Sequence, residues 1–219
     1  MNTGIVTVSG VHGVGKSTVC KYLQRSFNLG PEIERPSNPF KDSYHSMLFF
    51  VASFSARDSK VKEQALPMAV DRYSFHDIAV YIEVLKKLDK ITREDYWRLR
   101  SINITALLHS LEPEIAILLD DDVESLLLRL QNRGGKTGHI FEYDPEVLYH
   151  LNEAFIREFA TWEITRAWFN AMDIPRPPVL RVSVRNRTAS EIGLEVLARL
   201  RNIGLPSSWV LGECTVKEV

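Results

Sequence analysis

Gly10-Val11-His12-Gly13-Val14-Gly15-Lys16-Ser17 spells G-x-x-x-x-G-K-S, and the reading of this stretch decides the fold. The run before it, Ile5-Val6-Thr7-Val8, is β-branched and predicts a buried strand. The residues after it, Thr18 to Phe27, carry helical spacing. A strand, a glycine-rich turn and a helix form the frame in which backbone N–H groups converge on phosphate oxygens. Glycine is needed where a Cβ would block that approach. The motif therefore predicts ATP and Mg2+ as ligands. Gly10, His12, Gly13, Val14, Gly15, Lys16, Ser17 and Thr18 would surround the phosphates. Lys16 would reach the β- and γ-phosphates, and Ser17 would give its hydroxyl to the metal.

The chain has 219 residues, enough for one sizeable core, and the expectation is a single domain over residues 1–219. A net charge of -1 gives no electrostatic footprint for nucleic acid or a membrane surface. No apolar run reaches the length of a membrane span. The first strand begins close to Met1, which leaves no room for a targeting leader. Cys20 and Cys214 form no metal pattern and read as free thiols, so a reducing, cytoplasmic compartment is expected.

Strand-like and helix-like segments alternate along the chain. This predicts an α/β fold with about five parallel strands flanked by helices. Besides the first strand, Pro31 to Arg35, Ala65 to Val70, Ile115 to Leu119 and Val179 to Val184 read as strands. Helices are predicted at Asp42–Val61, Ser74–Leu88, Arg93–Leu111 and Asp122–Gln131, and mostly over Glu146–Met172 and Ala189–Asn202. The glycine-rich loop Gly134 to His139 suits a closing lid, about residues 133–143. The tail from Gly204 has no assignable pattern.

A second motif follows the strand that ends near Val70. Asp71-Arg72-Tyr73-Ser74-Phe75 puts a carboxylate at a strand's carboxyl end, where Asp71 would order magnesium with Ser17. Arg72 beside it could hold a phosphate on the acceptor. Here the chain resembles thymidylate kinases, within the wider group of P-loop nucleoside and nucleoside monophosphate kinases. Asp71-Arg72-Tyr73 looks like that family's Asp-Arg-Tyr. Leu48 to Phe54, followed by Ser55-Ala56-Arg57, looks like its helix ending in an Arg at the base. Glu34-Arg35-Pro36 looks like its turn beside the acceptor phosphate, and Arg133-Gly134 like the start of its lid. The resemblance implies a P-loop kinase fold, transfer from ATP to a nucleoside monophosphate such as dTMP, and a homodimer. It implies acceptor contacts from Glu34, Arg35, Phe50, Phe54, Arg57, Arg72 and Tyr73.

Deoxynucleoside kinases, which phosphorylate the nucleoside itself, are resembled too, through Asn38-Pro39-Phe40 and Phe159 to Trp162. In that family a Gln of the second helix pairs with the base, whereas Phe50 stands there in this chain. Thymidylate kinases usually carry an acidic residue where His12 stands. If the acceptor is a nucleoside, Glu34 could take the hydroxyl proton, with Glu32 an equal rival by spacing.

Transfer needs positive charge around the moving phosphoryl group. Val14 supplies none, so Arg129, Arg133 and Lys136 are the candidates, with Arg129 and Arg133 four residues apart on one helix face. Two other classes compete. A GTPase-type switch would need Asn-Lys-x-Asp and Asp-x-x-Gly, and neither occurs. A nucleotide-binding protein without transfer chemistry would keep the loop alone.

Overall fold

Parallel strands leave a sheet's two faces to helices, so their sequences read as unbroken apolar runs. The computed structural model, which describes residues 4–33, 36–107, 110–132, 144–169, 174, 176–206 and 208–209, follows this rule. Strands β1 (Ile5–Ser9), β2 (Met68–Asp71) and β3 (Ile115–Asp120) are buried at every residue. At β4 (Val179–Ser183) Leu180 and Val182 are buried while Arg181 and Ser183 face solvent, as suits an edge. The sheet is parallel throughout, in the order β2-β1-β3-β4. Val8 stands opposite Asp71, and Ser9 opposite Leu118.

The helices are α1 (Lys16–Ser26), α2 (Ser43–Lys62), α3 (Ser74–Lys87), α4 (Arg93–Ala106), α5 (Val123–Asn132), α6 (Pro145–Thr161), α7 (Glu163–Trp168) and α8 (Ala189–Ile203). Among the described residues no helix is long and apolar enough to cross a membrane. The chain leaves β1, forms β2 on one side of it, and returns to form β3 on the other side. Strand order therefore reverses beside β1. In open α/β sheets ligands bind outside the carboxyl ends of strands at such a reversal. The loop 10–15 starts there.

Four departures from the sequence expectations have local causes. The described sheet has four strands rather than five, because residues 31–33 form no strand. Pro31 has no N–H to give a ladder; the edge contact is instead the Gly30 N–H on the Pro67 carbonyl at 2.8 Å. For the same reason β2 begins after Pro67. The helix expected to run to Leu111 ends at Ala106, and Leu111 drops into a small cluster with Ile5, Val61, Met68 and Val70. The long helix expected from Glu146 breaks at Trp162, whose φ is 56°. There the Glu158 carboxylate accepts from the N–H groups of Ile164 at 2.7 Å and Thr165 at 3.1 Å. It thus satisfies the open donors of α7 and stabilises the restart.

Candidate active site

The phosphate loop is built by backbone conformation. Gly10 has φ 132°, and a Cβ on it would collide with the Leu119 carbonyl oxygen of β3. Gly15 has φ 98° and caps α1 without any side-chain hydrogen bond. No acidic residue lies in the first turn of α1. The helix thus presents its positive end and its open N–H groups at the loop, an arrangement that could hold an anion. Lys16, 7% exposed, folds back over the loop and donates from Nζ to the Val11 carbonyl at 2.7 Å.

Ser17 Oγ donates to Asp71 Oδ2 at 2.7 Å, joining the start of α1 to the end of β2. Two hard oxygens therefore face each other at the loop. Among the described residues no cluster of three or more His, Cys, Asp or Glu could hold a metal. A pair of protein oxygens nevertheless fits magnesium, which takes most of its shell from phosphates and water.

The next residue, Arg72, is strained. Its φ of 84° lies in the left-handed region, and its N–H donates to the Val8 carbonyl at 2.8 Å. That bond extends the β1–β2 ladder past Asp71. Strain of this kind in a non-glycine residue persists only where the surroundings over-determine it. Here they do. Arg72 Nη1 lies 3.4 Å from Asp77 Oδ2, Nη2 lies 3.4 Å from His12 Nδ1, and the guanidinium sits 5.5 Å from the Tyr81 ring centroid. Burial works against the Arg72 charge, but Tyr81, Asp77 and Asp71 outweigh it and hold its pKa above the ordinary value. Asp77, on α3, also accepts from Ser9 Oγ at 2.6 Å, while Ser9 Oγ accepts from the Tyr73 N–H at 3.0 Å. Burial pushes Asp77 up to about 6, against the pull of Arg72 and the Ser9 hydroxyl.

Arg57 lies under this turn. It is 4% exposed and paired with the fully buried Asp58 at 2.6 Å. Its Nη1 donates to the Asp71 carbonyl, and its Nη2 to the Ser74 hydroxyl and to the Arg72 carbonyl, the last at 3.2 Å. Its guanidinium also covers the Phe54 ring at 5.0 Å. Arg57 is therefore turned toward the strand end that carries Asp71 and Arg72.

Phe50 and Phe54 stack at 6.0 Å, with Phe54 buried and Phe50 half-buried against the core. Tyr73 is buried and packs on His76 at 4.1 Å and Trp162 at 6.3 Å. Burial drives its hydroxyl pKa well above the ordinary range. On the other side of the loop, Gly13, Gly15, Thr18, Arg129, Asn132 and Arg187 line an open cleft of about 330 Å3. Val14 is fully buried, although it also borders this cleft. Arg129 is held there by Asp121 at 3.0 Å and donates to the Val184 carbonyl at 2.9 Å. Glu34, Arg35, Arg133 and Lys136, expected from sequence at the site, lie outside the described residues, as does the lid at 133–143.

Sequence reasoning passed over Ser9, Asp77, Tyr81 and Arg187; Asp58 entered it only as a rival ion-pair partner, with Glu63, for Arg57. Asp77 carried a usable signal: an acidic residue just before the apolar run Ile78 to Ile82. A carboxylate there must find a partner or stay protonated.

No family model matches the chain. It is 25% identical over 142 residues to a deoxyadenosine/deoxycytidine kinase of Bacillus subtilis (strain 168). That match covers 59% of this chain and 65% of the relative, a little under two thirds of its length. The structure of a deoxyadenosine kinase from M. mycoides with bound dATP superposes with a TM-score of 0.71 at 15% identity, covering 90% of this chain and 99% of the other. The thymidylate kinase from Candida albicans superposes with a TM-score of 0.62 at 15% identity, covering 95% and 97%. The parallel sheet, the reversal beside β1 and the loop at that reversal thus make up a P-loop kinase fold, shared with both solved structures.

Proposed function

We propose that this chain transfers the γ-phosphoryl group of ATP to the 5′-hydroxyl of a deoxynucleoside. The observation that carries this reading is the placement of two arginines. Arg72, which a monophosphate acceptor would need at its phosphate, is buried and drawn toward Asp77, and Arg57, expected at the acceptor's base, is buried and paired with Asp58. A neutral acceptor requires no such charge. The likeness to a deoxyadenosine/deoxycytidine kinase supports the same choice.

In this reading the phosphates lie on the N-terminus of α1, with Lys16 swinging from the Val11 carbonyl to the β- and γ-phosphates. The donor base lies in the cleft between Arg129 and Arg187. Ser17 and Asp71 would hold magnesium, which supplies charge neutralisation between the β- and γ-phosphates. The 5′-oxygen forms a bond to the γ-phosphorus as the bond to the bridging oxygen breaks, and ADP leaves. The hydroxyl proton passes to a carboxylate. Glu32, which lines a narrow crevice with Arg57 and Asp71, is the described candidate. Arg72, next to the phosphate loop, sets positive charge on the acceptor side. Arg133 and Lys136 would close over the phosphates from the lid.

A second reading keeps the same donor side and takes a monophosphate such as dTMP. Asp71-Arg72-Tyr73 and the likeness to the Candida albicans protein favour it. ATP and magnesium would be offered with deoxyadenosine, deoxycytidine, thymidine, dTMP and no acceptor, following ADP release. The first reading expects turnover on a deoxynucleoside. Turnover on dTMP alone replaces it by the second, and ATP binding without turnover on any acceptor removes both.

A further inference from the structure

We propose that His12 is a positioning residue of the acceptor site, holding the Arg72 guanidinium while neutral and releasing it when protonated, so that transfer fails on the acid side. The inference rests on the phosphoryl-transfer reading above. A guanidinium can only donate, so the contact between Arg72 Nη2 and His12 Nδ1 at 3.4 Å needs an unprotonated Nδ1. The neutral ring then carries its proton on Nε2. Its plane is fixed as well, edge-on to Tyr81 at 5.5 Å and 68°. Tyr81 in turn underlies Arg72. His12, Arg72 and Tyr81 thus brace one another from three elements: the phosphate loop, the end of β2 and α3. Among the described residues the imidazole meets Arg72 at the end of β2 and Tyr81 on α3; Asp77 on α3 is reached through Arg72, and Lys16 shares the loop with His12. A proton on Nδ1 sets a donor against a donor and a second cation beside Arg72, whose other edge is already drawn toward Asp77. Histidine is the residue whose ordinary titration falls between about pH 5 and 8. Asp77 titrates in that window too, so the test must separate the two.

The activity test is kcat/KM against pH for the wild type and H12Q. The glutamine amide oxygen still accepts from Arg72 but does not titrate. The wild type should lose about tenfold per pH unit below its acid midpoint. H12Q should be reduced about 3- to 10-fold at pH 8, with its acid limb moved down by on the order of one pH unit or more. An unmoved limb in H12Q assigns the titration to Asp77 and overturns the proposal. The second test needs no turnover: NMR titration of the His12 ring in the wild type and in R72M. Removing the neighbouring cation should raise the His12 midpoint by on the order of one unit; an unchanged midpoint overturns the coupling. A wild type inactive on every acceptor would sink the phosphoryl-transfer reading, while the NMR comparison would still decide the role of His12.

Discussion

Arg57 donates from Nη2 to the main-chain carbonyl of Arg72 at 3.2 Å, so one buried arginine fixes the backbone of another. The same guanidinium donates to the Asp71 carbonyl. The left-handed φ of Arg72 is thereby held from below, and the two side chains of the proposed chemistry are aimed by a residue that is itself paired inside the protein.

Substituting Arg57 by Met should be severe. It leaves the buried Asp58 without its cation, a change that destabilises by about 3–5 kcal/mol. A lysine at this position keeps the charge but not the planar fork that reaches Asp58, Asp71, Arg72 and Ser74 together. R57K should therefore recover part of the stability and little of the rate, with kcat affected more than the KM for ATP. Denaturant melts and steady-state kinetics on the two variants check this. An R57K enzyme with native kcat would show that the staple does not matter to the site.

Lys16→Ala should remove transfer and leave folding nearly intact. The lysine Nζ bonds the Val11 carbonyl of its own loop, a contact that ties together no distant elements. The expected fall in kcat is on the order of 10²-fold or more, as for the loss of a preorganised charge at a transition state. Thermal melting beside a single-turnover assay separates the two effects. Near-native turnover would contradict the assignment of the loop.

Asp71→Asn should raise the magnesium concentration that half-activates the enzyme by about 10- to 100-fold, the range typical when a group that orients a metal's ligands is lost. Ser17→Ala should act in the same direction, since the two side chains share one hydrogen bond. Binding of a fluorescent ATP analogue without magnesium should change little in D71N. Loss of that binding to the same extent would mean Asp71 serves the loop's fold instead.

Stability should fall as pH drops below about 6.5, and His76 is the reason. The ring is buried on α3, and its Nδ1 lies 2.7 Å from the Thr165 hydroxyl, which itself donates to Glu158. The hydroxyl hydrogen being used, Nδ1 must carry the proton. His76 Nε2 has no hydrogen-bond partner among the described residues, which an unprotonated nitrogen tolerates better than the N–H of a charged ring. Burial lowers the His76 pKa below its ordinary value of 6.5, although Glu158 opposes this. The unfolded chain therefore takes up the proton first. Stability is present above about pH 6.5 and is lost as pH falls from there toward the folded value, by about 1.4 kcal/mol per unit of pKa difference. Glu158 adds a lower step. Burial raises its pKa, but His76 and Thr165 outweigh burial and depress it below 4.5, so its contribution is lost as pH falls below that value. Melting curves at about pH 7.5, 6 and 5 for the wild type and H76Q give the test: the slope between about pH 6.5 and 5 should flatten in H76Q. Equal slopes would place the titration elsewhere.

What could be read from sequence was local. The phosphate loop, β1 and β3 depend on neighbours within a few positions: glycines for left-handed φ, β-branched runs for a doubly covered strand, a helix start after Gly15. Asp71 was found at its strand end because the run before it ends there. Tertiary structure alone decided which distant groups meet the buried polar atoms. Ser9 and Asp77, 68 residues apart, share a hydrogen bond that no spacing rule announces. Arg57 reads from sequence as a substrate contact, with a surface ion pair to Asp58 or Glu63 as the rival, because an arginine at the end of an aromatic helix can face either. Burial beside Asp58 and the main-chain carbonyls of Asp71 and Arg72 settled its direction. The break at Trp162 has the same origin. Periodicity continues through residues 146–168, but the Glu158 carboxylate caps a new helix start six and seven residues on, with the Thr165 hydroxyl and His76 of α3 beside it. Backbone conformation near a motif follows from local sterics; the pairing of buried charges follows from packing the whole chain, because each must find a partner wherever the fold puts one.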